Sequence, residues 1–107
     1  MTSFNDREKA FENKFAHDSQ LQFKAVARRN KLVGLWAAEK FGMSGDDAAE
    51  YAKSVVKADL EEAGDQDVIR KLMADFKENG VEMTERRLEE ALAEQYEVAK
   101  QQIASES

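Results

Sequence analysis

The absence of proline is the feature of this sequence that most constrains how the chain can fold. Proline breaks helices because its ring fixes φ and removes a backbone donor, and glycine is the other residue that commonly ends them. The five glycines of the 107-residue chain stand singly, and the segments between them show helical periodicity. No segment shows the alternation that is typical of a strand, so the sequence predicts an all-α protein.

Four helices follow from the glycines and from the capping side chains near them. Ser44, Asp65 and Thr84 are predicted N-caps, and the pair Asn79-Gly80 is suited to the left-handed backbone that ends a helix. We predict that residues 104–107 fray. The predicted helices run from Ser3 to Phe41, from Ser44 to Gly64, from Asp65 to Asn79 and from Thr84 to Ile103.

Residues 21–103 supply one apolar face per helix, which predicts a four-helix bundle as the folded domain, residues 20–107. Trp36 and Tyr51 lie on these faces at helical spacing, so we expect them in the core rather than on a surface that stacks ligands. Gly34 lies within the first face, where glycine costs about 1 kcal/mol relative to alanine. The presence of glycine despite this cost predicts that another helix approaches closely at that position.

Residues 1–19 are left outside this core. Phe4, Phe11 and Phe15 share one helical face there, among side chains that are mostly charged or polar. Such a segment is marginal as an isolated helix in water, so we predict a mobile, partly disordered arm that becomes helical when its phenylalanines enter a groove. In the alternative, the segment extends the first helix and folds back on the bundle. A self-dimer that buries the phenylalanines also remains open.

The charge distribution and the residue types present argue against several classes of function. Residues 1–41 carry a net charge of +3 and the remainder carries −9, which makes nucleic-acid binding the least favoured function. The chain has no cysteine, one histidine and no glycine-rich phosphate loop, so we expect a protein that is not an enzyme and requires no cofactor or metal. Without a secretory signal or an apolar run of the ~20 residues that a bilayer requires, we expect a soluble intracellular protein with no membrane insertion.

The first helix carries the densest positive patch of the chain. We favour a solvated face that pairs with the acidic body, and the alternatives are an anion or adenine-nucleotide contact or a docking patch for an acidic partner. His17 could titrate near neutral pH and change how the arm binds, although a lone exposed histidine usually does not. The patch consists of Lys24, Arg28, Arg29 and Lys31.

Several motifs along the chain are shared with one protein family. They are Asp6-Arg7-Glu8, Lys14-Phe15-Ala16, His17-Asp18, Phe23-Lys24-Ala25, "ARRNKL" at 27–32, Trp36-Ala37-Ala38, "DVIRKLMADF", "NGVEMTERRLEEAL" and "QQI". With them the sequence resembles the zeta-subunit family of alphaproteobacterial F-type ATP synthases over essentially its whole length. Members of that family are small bacterial regulatory subunits that inhibit ATP hydrolysis.

The resemblance implies a four-helix bundle whose mobile N-terminal arm enters the catalytic head between alternating alpha and beta subunits. There the arm becomes helical and wedges the gamma rotor against hydrolytic rotation, much as the mitochondrial ATPase inhibitor protein does from an unrelated fold. The resemblance also implies a cytoplasmic protein held at the inner membrane through ATP synthase. Weak binding of ATP or ADP by the bundle is the alternative function that it implies.

The resemblance assigns partner binding to the arm. Its phenylalanines would fill apolar grooves and its charged residues would set the register through ion pairs. Two residues depart from the family pattern: Gln20 replaces an acidic residue, and Phe11 replaces a smaller or polar one and widens the apolar stripe. The arm residues concerned are Phe4, Asp6, Arg7, Glu8, Phe11, Lys14, Phe15, His17 and Asp18.

Overall fold

The computed structural model describes the backbone of residues 3–59 and 64–106, and the side chains of residues 9–59 and 64–106. Within these ranges the chain forms helices and no strands, which confirms the all-α class. None of the described helices combines the length and the apolar composition that a bilayer span requires. The helices are α1 (Ser3–His17), α2 (Ser19–Lys40), α3 (Gly45–Asp59), α4 (Gln66–Glu78) and α5 (Glu85–Glu106).

Asp18 divides the first predicted helix in two, which corrects the prediction of one continuous helix. Its backbone is extended, with φ −111° and ψ 103°, and its carboxylate accepts hydrogen bonds from Gln20 N at 2.9 Å and Leu21 N at 3.3 Å. An aspartate side chain competes for the free donors of a first helical turn and thereby starts a new helix. Gln22 Nε2 donates to the carbonyl of Phe15 at 3.0 Å, so the end of α1 is also partnered.

Helices α2 to α5 surround one main core to which each of them contributes. Trp36 and Tyr51 pack against this core from its periphery and are partly buried, so the prediction that they lie in the core is met only in part. The Trp36 ring lies 5.9 Å from that of Phe76, between centroids. The buried members of the core are Val33, Ala37, Val55, Val68, Ile69, Leu72, Phe76, Leu88 and Leu92.

Gly34 lies at a close contact between α2 and α3, as its position in the sequence predicts. A Cβ added to this residue would lie 2.7 Å from Ala52 Cα and 3.3 Å from Val55 Cγ2. The first of these distances is shorter than real side chains tolerate, and it involves a backbone atom that cannot easily move. The missing methyl group therefore permits the close packing of these two helices.

A hydrogen bond between side chains joins α3 to α4 at the periphery of the core. Tyr51 Oη donates to Asp75 Oδ2 at 2.7 Å, and Lys71 Nζ lies 3.0 Å from the same carboxylate oxygen. Burial raises the pKa of Tyr51, and the hydrogen bond to Asp75 raises this pKa further. The phenol is therefore a permanent donor at physiological pH.

The predicted helix ends are confirmed at two residues and corrected at others. Thr84 Oγ1 accepts a hydrogen bond from Arg87 N at 3.1 Å, which confirms the cap of α5. Gly80 takes the left-handed backbone with φ 69°, whereas Asn79 has φ −88°. Asp65 stands at the N-cap of α4, but its side chain makes no capping hydrogen bond.

The predicted fraying of the C-terminal residues is wrong up to Glu106, because α5 remains helical to that residue. The carboxylate of Glu106 forms an ion pair with Arg28 of α2, with 2.8 Å between Oε2 and Nη1. The paired side chain anchors a turn that would otherwise end in solvent.

Candidate functional site

The second half of α1 packs on the body formed by α2 and α5. Phe15 is only 7% exposed, and Phe11 packs beside it as a partly buried residue. We call the surface that receives them the cradle. It consists of Leu21 and Ala25 from α2 and of Tyr96 and Ile103 from α5.

Aromatic contacts account for much of the fit between α1 and the cradle. The Phe15 and Tyr96 rings meet edge to face, with centroids 6.1 Å apart and planes at 73°. Phe11 lies beside Phe15 at 5.9 Å between centroids. Burying a phenylalanine side chain is worth about 1.5–3 kcal/mol, so Phe15 is the principal attachment of α1 to the body.

Lys100 of α5 forms a second attachment. Its ammonium lies 4.9 Å from the centroid of the Phe15 ring and 3.3 Å from Glu12 Oε2. The lysine side chain is 15% exposed and the glutamate side chain is 61% exposed. The ion pair is therefore well screened by water, and the cation–π contact is the more valuable half of this attachment.

The predicted arm residues are distributed over three environments. Phe11 and Phe15 face the cradle, whereas Lys14 and His17 are exposed. Asp18 uses its carboxylate to cap α2, as described above. The remaining predicted contacts have side chains outside the described residues: Phe4, Asp6, Arg7 and Glu8.

The fold divides the basic patch predicted on the first helix. Arg28 donates from Nη1 to Glu106 Oε2 at 2.8 Å and from Nη2 to Oε1 at 2.9 Å, and Nη1 also donates to Gln102 at 2.8 Å. These hydrogen bonds lower the pKa of the Glu106 carboxyl and raise the pKa of the Arg28 guanidinium. The predicted pairing of this residue with the acidic body is confirmed.

Arg29 is a buried residue, which the sequence did not indicate. Its side chain is 6% exposed, and Nη2 donates to Asp65 Oδ1 at 2.9 Å. Nε and Nη2 also donate to Asn30 Oδ1, at 3.0 and 2.8 Å. The carboxylate predicted to cap α4 thus binds α2 instead. Of the four basic residues, Lys24 and Lys31 have exposed side chains.

A groove that the sequence did not predict adjoins the cradle and shares Leu21 and Ile103 with it. Phe23 lies in it with 62% of its surface exposed. The sequence signal was present, because Phe23 stands between Gln22 and Lys24, off the apolar face of its helix. We call this surface the Phe23 groove. It is lined by Lys14, Leu21, Phe23, Lys24, Ala27, Arg28, Lys31, Val56, Ile103 and Glu106.

The arrangement is suited to apolar packing and ion pairing with another macromolecule. Among the described residues, no three histidine or carboxylate side chains are grouped as a metal site requires. The features exposed to a partner are Phe23 and the lysines around the Phe23 groove, whereas the described phenylalanines of α1 lie against the cradle.

Comparison with known proteins places the chain in a family. The sequence model of the family described as ATPase inhibitor subunit zeta matches residues 1–102. A protein whose solution NMR structure has been solved is 48% identical and superposes with a TM-score of 0.72, over 81% of this chain and 99% of that chain. No curated protein matches the sequence. The family match includes α1, α2 and most of α5, which together form the candidate site.

Proposed function

The chain belongs to the ATPase inhibitor subunit zeta family, and we propose that it blocks ATP hydrolysis by inserting α1 into the catalytic head of an F-type ATP synthase. The family supports a role as an ATP synthase inhibitor. The observation that carries the insertion step is the character of α1, a helix with a phenylalanine face that is joined to the body at a capped break. The protein acts by binding and is not itself an enzyme.

Insertion requires α1 to leave the cradle. Phe11 and Phe15 then exchange contacts with Tyr96 and Ile103 for contacts in an apolar groove of the head. Because both states bury the same face, the cost of leaving is offset by burial in the partner. The Asp18 cap keeps the start of α2 intact while α1 changes direction, because Asp18 accepts hydrogen bonds only from amides of α2 and from none of α1.

The proposed partners are the alpha, beta and gamma subunits of the head. The arm would lie between alternating alpha and beta subunits and press against the gamma rotor, with Lys14 available for an ion pair and His17 for a hydrogen bond because both are exposed. Helices α2 to α5 would stay outside as a stop, since four packed helices are far wider than one helix of about 10 Å diameter. The protein would thus be found at the cytoplasmic face of the inner membrane through ATP synthase.

The proposal is tested by adding the protein to its purified cognate ATP synthase and measuring ATP hydrolysis. We expect inhibition by the full chain, and weaker inhibition after Phe11→Ser, which removes half of the described phenylalanine face. Leu35→Ser is the matched control, because Leu35 is an exposed apolar residue on α2. Deletion of residues 1–19 should abolish inhibition. Undiminished hydrolysis with the full chain, or equal inhibition by the shortened one, would refute the proposal.

Weak adenine-nucleotide binding by the basic patch stays a prediction, with less support than inhibition. Arg28 and Arg29 already bind carboxylates, which leaves Lys24 and Lys31 to contact phosphates. Titration of ATP into isotopically labelled protein tests this function. Amide shifts centred on these two lysines would support it, and an unchanged spectrum at millimolar ATP would rule it out.

A further inference from the structure

Phe23 is the most exposed of the large hydrophobic side chains that the structure describes. Its 62% exposure compares with 38% for Val98 and 36% for Leu35. The groove around it is partly apolar, with Leu21 and Ala27 from α2 and Val56 from α3. An exposed aromatic ring that is contiguous with other apolar groups forms the kind of surface patch that marks an interaction site.

The rim of this groove is positively charged although the protein is acidic. Lys24 and Lys31 of α2 line it and are exposed, and neither forms a salt bridge with another described residue, although Lys24 helps to lower the pKa of the Glu106 carboxyl. Arg28 is the exception, because it is neutralised by Glu106. The whole chain carries a net charge of −6, so this surface differs in sign from the protein around it. Such a rim attracts acidic groups and repels basic ones.

We propose that the Phe23 groove docks an acidic amphipathic segment on the outer surface of the catalytic head, beside the point where α1 enters. This inference rests on the proposed function. Phe23 lies five residues beyond Asp18, roughly 8 Å along α2 at 1.5 Å per residue. When α1 enters the head, the Phe23 groove therefore lies close to the entry point of the arm.

The spacing of the lysines favours a protein segment as the occupant. Lys24 and Lys31 are seven residues apart on α2, roughly 10 Å and two helical turns. Carboxylates two turns apart on a partner helix match this spacing, and an apolar residue next to the carboxylate that pairs with Lys24 would meet Phe23. The docked segment adds affinity outside the arm, because binding at one site raises the effective concentration at the other.

The test compares variants of the full chain in binding to the purified cognate ATP synthase. Phe23→Ser and the double variant Lys24→Glu/Lys31→Glu should each weaken binding by about tenfold or more, as the loss of an anchor or the reversal of a complementary charge does. At saturating protein, both should still inhibit as fully as the unaltered chain, because α1 is unchanged. Wild-type affinity in both groove variants overturns the proposal.

Matched controls separate the groove from general effects of polarity and charge. Leu35→Ser removes an exposed apolar residue of the same helix, and Lys53→Glu/Lys77→Glu makes the same change in net charge at exposed positions of α3 and α4. These controls should bind as the unaltered chain does. Equal weakening in the charge control would show that net charge alone acts, and the proposal would fail. If the unaltered chain does not inhibit, the proposed function fails first and the docking site falls with it.

Chemical crosslinking identifies the occupant. A carbodiimide joins lysines directly to carboxylates, so the inhibited complex should yield crosslinks from Lys24 or Lys31 to an acidic segment of an alpha or beta subunit. Crosslinks from these lysines only to a second copy of this chain would overturn the proposal, as would their absence from a complex that inhibits. Amide shifts at Phe23 and Lys24 on adding ATP to the free protein would assign the groove to a nucleotide instead.

Discussion

Removing the charge of Lys100 should strengthen inhibition, because this residue holds α1 against the body. Lys100→Met keeps an unbranched apolar side chain at this position but loses two contacts of the ammonium. These are the 4.9 Å approach to the Phe15 ring and the 3.3 Å pair with Glu12. The head and the cradle compete for one face of α1, so a weaker cradle favours the head.

The size of the effect follows from these two contacts. A cation–π contact of this kind is worth about 0.5–1 kcal/mol, and an ion pair whose carboxylate is largely exposed adds about 0.2 kcal/mol or little more. The total is close to 1 kcal/mol, which corresponds to a roughly fivefold change in the fraction of protein with α1 released. The concentration of protein that half-inhibits ATP hydrolysis should fall by about the same factor.

Two measurements check this prediction. Inhibition titrations with purified ATP synthase give the half-inhibiting concentration, and hydrogen exchange of the free protein shows whether the amides of α1 open more readily. Lys77→Met, which removes an exposed lysine of α4, should change neither quantity. Faster exchange in α1 without stronger inhibition would refute the competition between cradle and head. Weaker inhibition would mean that Lys100 itself contacts the head.

Three further substitutions test the fold and its pH dependence. Gly34→Ala should lower the free energy of unfolding by about 1–2 kcal/mol in urea titrations, because the clash with Ala52 outweighs the gain in helix propensity. Asp18→Ala should cost about 1 kcal/mol through loss of the α2 cap, and circular dichroism should show a small loss of total helix content. Arg28 lowers the pKa of Glu106, so Glu106→Gln should destabilise the protein at neutral pH. That difference should vanish in melts at acidic pH, as the wild-type carboxyl is protonated.

The parts of the fold that depend on neighbouring residues could be predicted from the sequence. The apolar period located the helices, and Thr84 and Gly80 marked real ends because caps and left-handed turns are local events. Gly34 could be interpreted as a close contact because a buried glycine in a helix is costly unless space demands it. These features need no knowledge of which helix lies opposite.

Interactions between residues far apart in the sequence could not be predicted in the same way. Arg29 is buried because Asp65 reaches it from 36 residues away, and nothing in the local sequence distinguishes it from the exposed Lys31. The break at Asp18 was missed for a different reason. Aspartate is tolerated within helices as well as at their starts, and the choice depends on whether its side chain captures the following amides.

The phenylalanine face of α1 shows why a sequence pattern alone does not identify the partner of a helix. Phe11 and Phe15 at helical spacing indicate that the face is buried against something, and that requirement is met equally by the cradle and by a groove in the head. If the head is the second site, the affinity of the arm reflects the difference between two free energies: that of burying this face in the head and that of burying it in the cradle. Changes that improve the contact of Phe15 with Tyr96 should then stabilise the free protein and weaken inhibition together, which links the stability of the body to the strength of its regulatory action.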